Sequence, residues 1–321
     1  MGLNINRIAS EAAANFVKPL EIGNQIKNKI ETEAREAVGA AGDFVRRQTE
    51  SLGDVFASRT GLSTALNPLT LRTPQRSETP SDKAFDGHFV GAGGQTFDPS
   101  TPLREIPAVT PAGGARNNET LIYVNGIQTN VAGQSNSLQA IADTTGSRVI
   151  GVHNATGTFV GDVLQSLGDK LDIGANPAVD TLADTVYNEL QAGRDVHLMA
   201  HSQGAIITSR ALTDVRNRLM AEDGLSRQQA EALLNNVKVE TFGGAARRYP
   251  DGPQYVHYVN RNDGVPQAFG LRSWLNPFAH EGRDAVTHRF RAGAPVVSHG
   301  FEQFYLPERV PFEDARRGRF N

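Results

Sequence analysis

The chain has no cysteine among its 321 residues. Disulfide bridges, thiolate metal sites and a cysteine nucleophile are thereby excluded. An excess of one charge is also missing: 32 Lys and Arg stand against 35 Asp and Glu, for a formal net charge of −3. A nucleic-acid partner would call for a basic face or stripe, so none is expected. There is no run of about 18 apolar residues, and hence no expected membrane-spanning helix. The start, Met1-Gly2-Leu3-Asn4-Ile5-Asn6, lacks the charged-then-apolar order of a signal peptide. Asn6 also stands where a myristoylation signal has Ser or Thr. The expectation is a chain made in the cytoplasm without a signal peptide.

What is present falls into three zones. Residues 1–60 read as a helical N-terminal extension. Ile22, Ile26, Ile30, Ala34 and Val38 recur every four residues, with charged residues between them. Two uses are open for this extension. One is an arm packed on the main domain or on a partner subunit. The other is a helix for a membrane surface or for a chaperone, secretion or immunity partner, although its balanced charges do not favour anionic lipid. Residues 61–118 are rich in Pro, Gly, Ser and Thr and read as linker, with a short hairpin at 87–97 around Gly91, Gly93 and Gly94. From 119 to 321, short apolar strands alternate with helical stretches. That alternation predicts a mostly parallel sheet with helices on both faces. The predicted strands are 120–125, 148–152, 196–200, 237–242, 255–259 and 286–291. The predicted helices are 135–144, 179–191, 203–220 and 226–235.

One stretch carries chemistry. His197-Leu198-Met199-Ala200 is an apolar strand that runs into His201-Ser202-Gln203-Gly204, and an apolar helix follows at once. This is the strand–turn–helix setting of a G-x-S-x-G nucleophile elbow, with Ala200 in place of the first glycine. Small residues on either side let strand and helix approach closely, and the serine projects at the carboxyl end of the sheet. A serine hydroxyl still needs a general base and donors aimed at an oxyanion. In this arrangement the acid and then the histidine follow the serine in the chain. Asp263, in the turn after strand 255–259, is the favoured acid. Asp251 and Asp284 are weaker candidates, and Asp263 has the alternative of merely capping the turn before Gly264. The run Asn260–Asp263 lacks the remaining ligands of a calcium loop. His299, after the strand-like run Pro295-Val296-Val297, is the favoured base. His280 is second, and His288 reads as structural. For the oxyanion, the loop Asn125-Gly126-Ile127 follows an early strand. The backbone N–H groups of Ile127 and Gln203 are the expected donors, with Gly126 supplying backbone freedom. Such chemistry needs neither cofactor nor metal.

These residues resemble known enzymes. The A-x-S-x-G elbow and the Asn125-Gly126-Ile127 loop resemble those of small bacterial lipases, with Asn125 where those have His. Asn262-Asp263-Gly264-Val265-Pro266 and His299-Gly300-Phe301 through Tyr305 resemble the acid and histidine segments of class 3 lipases. The likeness covers residues 119–306. It implies an α/β-hydrolase fold and hydrolysis of carboxylic esters, above all of acylglycerols or phospholipids. The chain is also similar to lipase effectors and toxins exported by specialised secretion systems. A lipase of this kind implies a lid or acyl-chain wall and a membrane-surface contact. Residues 269–278, with Phe269, Leu271, Trp274, Leu275 and Phe278, are the first lid candidate, and ordinary core packing is its alternative. Residues 160–171 are the second. The same array serves thioesterases and peptidases, and an inert hydrolase fold can serve as a binding module.

Overall fold

The computed structural model describes residues 83–127, 129–155, 176–271, 279–295 and 298–320. The helical extension expected at 1–60 lies outside the described residues.

Eight strands form one sheet: β1 (Phe89–Val90), β2 (Thr96–Phe97), β3 (Thr120–Val124), β4 (Arg148–Val152), β5 (Val196–His201), β6 (Val237–Phe242), β7 (Gln254–Asn260) and β8 (Val286–Phe290). Their order across the sheet is β2-β1-β4-β3-β5-β6-β7-β8. The six strands from β4 to β8 in that order run parallel. β1 pairs antiparallel with both β2 and β4. The hairpin expected at 87–97 therefore forms and belongs to the sheet, so the sheet begins upstream of residue 119. The Pro-rich chain beyond the hairpin is tied down as well. Val109 bridges to Val149, Ala92 N–H donates to the Pro107 carbonyl, and Ile106 and Val109 are buried. Described residues expected to be linker thus pack as part of this unit, because they carry apolar side chains that the edge of the sheet can bury.

Helices α1 (Val131–Thr145), α2 (Pro177–Gln191), α3 (Gly204–Ala221), α4 (Arg227–Leu234), α5 (Gly264–Ala268) and α6 (Phe312–Arg316) connect or follow the strands. Local chemistry sets their ends. The Asn130 side chain accepts from Gly133 N–H and starts α1 four residues before the predicted position, and Gly146, left-handed at φ 74°, ends it. Asn176 caps α2 ahead of Pro177. Ser226 and Gln229 form a reciprocal capping box at α4.

Strand residues alternate between two cores, as the two-residue period of a strand requires. Ile122, Val124, Leu198, Ala200, Val237 and Val239 face one core with α2, α3 and α4. Leu121, Tyr123, Met199, Phe242, Val256 and Tyr258 face the other, with α1, Phe301, Tyr305 and Phe312. Helices cover both faces, as predicted.

One buried polar cluster fastens the C-terminal segment to the sheet. His197 on β5 lies 2.8 Å from Glu119 and 2.9 Å from Glu240 on β6, and Arg309 reaches the same Glu240 oxygen at 2.8 Å. Burial opposes charge on His197, but the two carboxylates outweigh it and raise the imidazole above its ordinary range. Glu240 is fully buried; burial pushes it up, yet Arg309 and His197 hold it below the usual range. Removing one partner would leave a buried charge uncompensated. Arg309→Met should therefore cost about 3–5 kcal/mol of stability, measured by urea denaturation at neutral pH. The pH dependence follows from the signs. The contribution of His197 is complete below its unfolded pKa of ~6.5 and is lost as pH rises through its raised folded value. The contribution of Glu240 is present above its unfolded pKa and is lost as pH falls through its lowered folded value. Stability of the wild type should thus decline on the alkaline side, and Glu240→Gln should flatten that decline.

Candidate active site

The strand order reverses around β3: the chain passes from β3 to β4 on one side, then returns with β5 on the other. Open parallel sheets bind ligands in the crevice at the carboxyl ends of strands at such a switch point. The carboxyl ends of β3 and β5 carry Asn125-Gly126 and His201-Ser202, respectively.

Ser202 stands between β5 and α3 in the left-handed region, at φ 55°. For a residue other than glycine this is a strained conformation, costing on the order of 1–3 kcal/mol, and it persists only where the surroundings enforce it. Here they do. Ser202 N–H donates to the Phe242 carbonyl at the end of β6, and its own carbonyl accepts from Ala205 and Ala245. Close approach explains the glycines. A Cβ on Gly204 would lie 2.3 Å from the Val124 carbonyl oxygen and 2.9 Å from that of Asn125. A Cβ on Gly126 would lie 3.0 Å from Ser202 Cβ. No positive φ is recorded at Gly126, so the loop needs glycine there for space against the serine rather than for the backbone freedom expected from sequence.

The structure brings Ser202, His299 and Asp263 together. His299 Nε2 lies 2.8 Å from Ser202 Oγ, and His299 Nδ1 lies 2.6 Å from Asp263 Oδ2. With Nδ1–H donating to the carboxylate, Nε2 is left to accept the serine proton. Ser202 and Asp263 are buried, at 4% and 0% exposure, while the His299 side chain is 26% exposed. The two oxygens of Asp263 divide the roles foreseen as alternatives. Oδ1 accepts Val265 N–H at 2.8 Å and caps α5, while Oδ2 takes His299. The other candidates lie elsewhere. Asp251 precedes β7, whereas Asp263 follows it, and Asp251 pairs with His280 at 2.9 Å. Asp284 sits in the turn before β8, with its carbonyl bound by Arg316. His288 stacks on Phe320 with ring centres 4.1 Å apart.

Three further residues, not singled out from sequence, build the site. The Tyr305 hydroxyl donates to Asp263 Oδ2 from the turn Phe301–Tyr305 that follows His299. Asn260, buried at the end of β7, donates to the Ala292 and Ser298 carbonyls and accepts from Asn262 and Ala292 N–H, so it joins the acid loop to the histidine loop. His201 donates from Nε2 to the His299 carbonyl at 2.9 Å, and the two imidazoles lie 4.6 Å apart. Burial, and then repulsion from His299, hold His201 well below the usual imidazole range. A neutral His201 leaves room for positive charge on its neighbour.

Of the expected oxyanion donors, neither Ile127 N–H nor Gln203 N–H makes a hydrogen bond among the described residues. Gln203 immediately precedes the first turn of α3, and that helix end favours negative charge. Of the lid candidates, Phe269 is half-buried at the end of α5, and Leu271 packs against the core beneath α2–α4. Trp274, Leu275, Phe278 and the second candidate at 160–171 lie outside the described residues. Among the described residues, no group of three or more His, Cys, Asp or Glu is arranged to hold a metal.

An eight-stranded, mostly parallel sheet, covered on both faces and turning sharply into a helix after the fifth strand at a left-handed serine, is an α/β-hydrolase fold. No family model and no curated protein matches the chain. Among solved structures, an esterase of Pyrobaculum calidifontis is similar over 66% of this chain and 80% of that one, with 13% identity and a TM-score of 0.39. Acetyl xylan esterase 1 from Thermoanaerobacterium sp. JW/SL YS485 is similar over 62% and 77%, with 12% identity and a TM-score of 0.31.

The close packing at the elbow is directly testable. Gly204→Ala places a methyl group against backbone that has no side-chain freedom to yield. It should cost stability at the upper end of the about 1–3 kcal/mol typical of overpacking, read by urea denaturation. An unchanged midpoint would mean that helix and strand are not in contact there.

Proposed function

We propose that this chain is a serine hydrolase of carboxylic esters that works through an acyl-enzyme. The observation that supports this reading is the hydrogen-bond chain from Ser202 Oγ through His299 to buried Asp263. That chain begins at a serine held in a strained turn at the carboxyl end of the sheet. In the proposed reaction, His299 takes the Ser202 proton as Oγ attacks the ester carbonyl. Asp263 holds the imidazole in the right tautomer and stabilises the imidazolium. The N–H groups of Ile127 and Gln203 receive the oxyanion, each donor worth ~3–4 kcal/mol of transition-state stabilisation. His299 returns the proton to the leaving alcohol, then activates water to release the acid.

Within the esters, a lipid substrate is the finer proposal: the chain acts as a lipase or phospholipase. It draws support from the resemblance of the acid and histidine segments to class 3 lipases and from the apolar residues between Phe269 and Phe278. Contact with a membrane surface, a partner for residues 1–60 and export as an effector belong to the same proposal and rest on the sequence resemblance.

Ser202→Ala should lower hydrolysis of p-nitrophenyl butyrate by about 10⁴-fold or more and abolish fluorophosphonate labelling while the circular dichroism spectrum is kept. Undiminished turnover in that variant would overturn the proposal, and a folded wild type that neither labels nor hydrolyses would favour an inert binding module. A panel of short-chain esters, thioesters, peptides, triacylglycerols and phospholipids then tests the lipid assignment. Preference for the two lipids supports it, and preference for a thioester or peptide sinks it. Growth inhibition on expression that is lost with Ser202→Ala would support an effector.

A further inference from the structure

Three buried amide side chains join the loop after β3, the loop after β4 and the residue that follows Ser202. Asn125 grips Asn154 at both ends of its backbone: Oδ1 accepts Asn154 N–H at 2.9 Å, and Nδ2 donates to the Asn154 carbonyl at 2.9 Å. The same Nδ2 donates to the carbonyl of Gly126 at 2.8 Å. Asn154 in turn donates from Nδ2 to Gln203 Oε1 at 2.7 Å. Asn125 and Asn154 are fully buried and Gln203 nearly so.

Peptide planarity gives this ladder a consequence. In a trans peptide the carbonyl of one residue and the N–H of the next point in opposite directions. When the Asn125 side chain fixes the Gly126 carbonyl, it also fixes the direction of Ile127 N–H, on the far side of that peptide. Gly126 packs against Ser202, where a Cβ would lie 3.0 Å from the serine Cβ, so this peptide borders the nucleophile. At the other end of the ladder, Asn154 holds the side chain of Gln203, whose backbone N–H is the second expected donor. One set of hydrogen bonds therefore reaches both residues that carry the expected donors. Buried amides in a low-dielectric setting hold their geometry firmly when every link is satisfied.

We propose that Asn125 and Asn154 are positioning residues that set the direction and spacing of the two oxyanion donors, Ile127 N–H and Gln203 N–H. This rests on the serine-hydrolase reading. Asn125 serves through its donors as well as its acceptor. An aspartate of the same shape would set a carboxylate oxygen against the Gly126 and Asn154 carbonyls and push the Gly126–Ile127 peptide out of line. Asn154→Ala is milder, since it keeps the Asn154 backbone groups that Asn125 grips while it releases the Gln203 side chain. Donors that act on the developing oxyanion stabilise the transition state more than the bound ester, so the loss should fall on kcat rather than KM.

The test uses the full chain as wild type, Asn125→Asp, Asn154→Ala and Ser202→Ala. Turnover of p-nitrophenyl butyrate is expressed per site titrated with a fluorophosphonate, and phenylboronic acid serves as a tetrahedral analogue. Asn125→Asp is expected to lower kcat per titrated site by about 10²–10³-fold, as for loss of an oxyanion donor, with KM little changed. Asn154→Ala should show a smaller loss in the same direction. The boronic acid should weaken in proportion to kcat/KM, and the pH profile of kcat/KM should keep its shape because Ser202, His299 and Asp263 are untouched. A purely structural role would lower the melting temperature and the fraction of titratable sites, but leave kcat per site and boronic acid affinity within about twofold of wild type. That result overturns the inference. If Asn125→Asp fails to fold, Asn154→Ala carries the same test. An active, Ser202-dependent wild type with indifferent ladder variants defeats this inference alone. A wild type that neither labels nor turns over defeats it together with the hydrolase reading.

Discussion

Gly204 lets the first turn of α3 press against the backbone carbonyls at the end of β3, and the rest of the site depends on that contact. Strand and helix can meet so closely only if the residue between them turns sharply, and Ser202 takes up that turn at φ 55°. The turn is strained, so it must be held from outside. The end of β6 and the turn after it do this: the Phe242 carbonyl accepts Ser202 N–H, and Ala245 N–H donates to the Ser202 carbonyl. Gly126 closes the other side. The packing that strains the serine backbone is therefore the packing that sets its hydroxyl at the strand-order reversal, facing a histidine and beside the Asn125 loop.

A second set of constraints brings in the chain that follows. Asp263 must cap α5 and hold His299 at once, and it does so by giving one oxygen to each task. Tyr305 donates to the oxygen that His299 uses, while Asn260 binds the loops on both sides. Farther along, Arg309 reaches into a buried cluster with Glu240 and His197, which anchors the segment behind the histidine to β5 and β6. Position thus passes from the middle of the sheet to a loop with little regular structure of its own. His201 belongs to both sets. It precedes the nucleophile on β5, its ring lies beside that of His299, and burial keeps it neutral.

Much of this was legible in sequence because the signals are local. The strands at 148–152 and 237–242 have the predicted bounds, the first marked by a short apolar run and the second by the alternation of Val237, Val239 and their polar neighbours, each between turn residues. The hairpin was visible in its glycines. The packing of the Pro-rich chain around Ile106 and Val109 was not, because composition does not say whether an isolated apolar residue has a sheet edge to cover. Tyr305, Asn260, Asn154 and His201 were missed for a related reason. Each acts through a contact across 29 or more positions, and a lone Tyr, Asn or His has no periodicity to mark it.

By itself the sequence determined the alternation of strands and helices, the elbow at Ser202, and the chain order of serine, acid and histidine. Each of these is written within a few consecutive residues, where steric and hydrogen-bonding preferences act directly on the backbone. The tertiary structure decided whether the favoured candidates meet, and it brings Asp263 and His299 to Ser202. Asp251 and Asp263 flank one strand, and β7, about 20 Å long at the usual rise per residue, separates them. The first pairs with His280, the second with His299. The sequence favours Asp263 and His299 because each follows a late strand, but it does not show which aspartate pairs with which histidine. What distinguishes them is the parallel direction of β5 and β7, which places Asp263 and not Asp251 at the end of the sheet where Ser202 emerges.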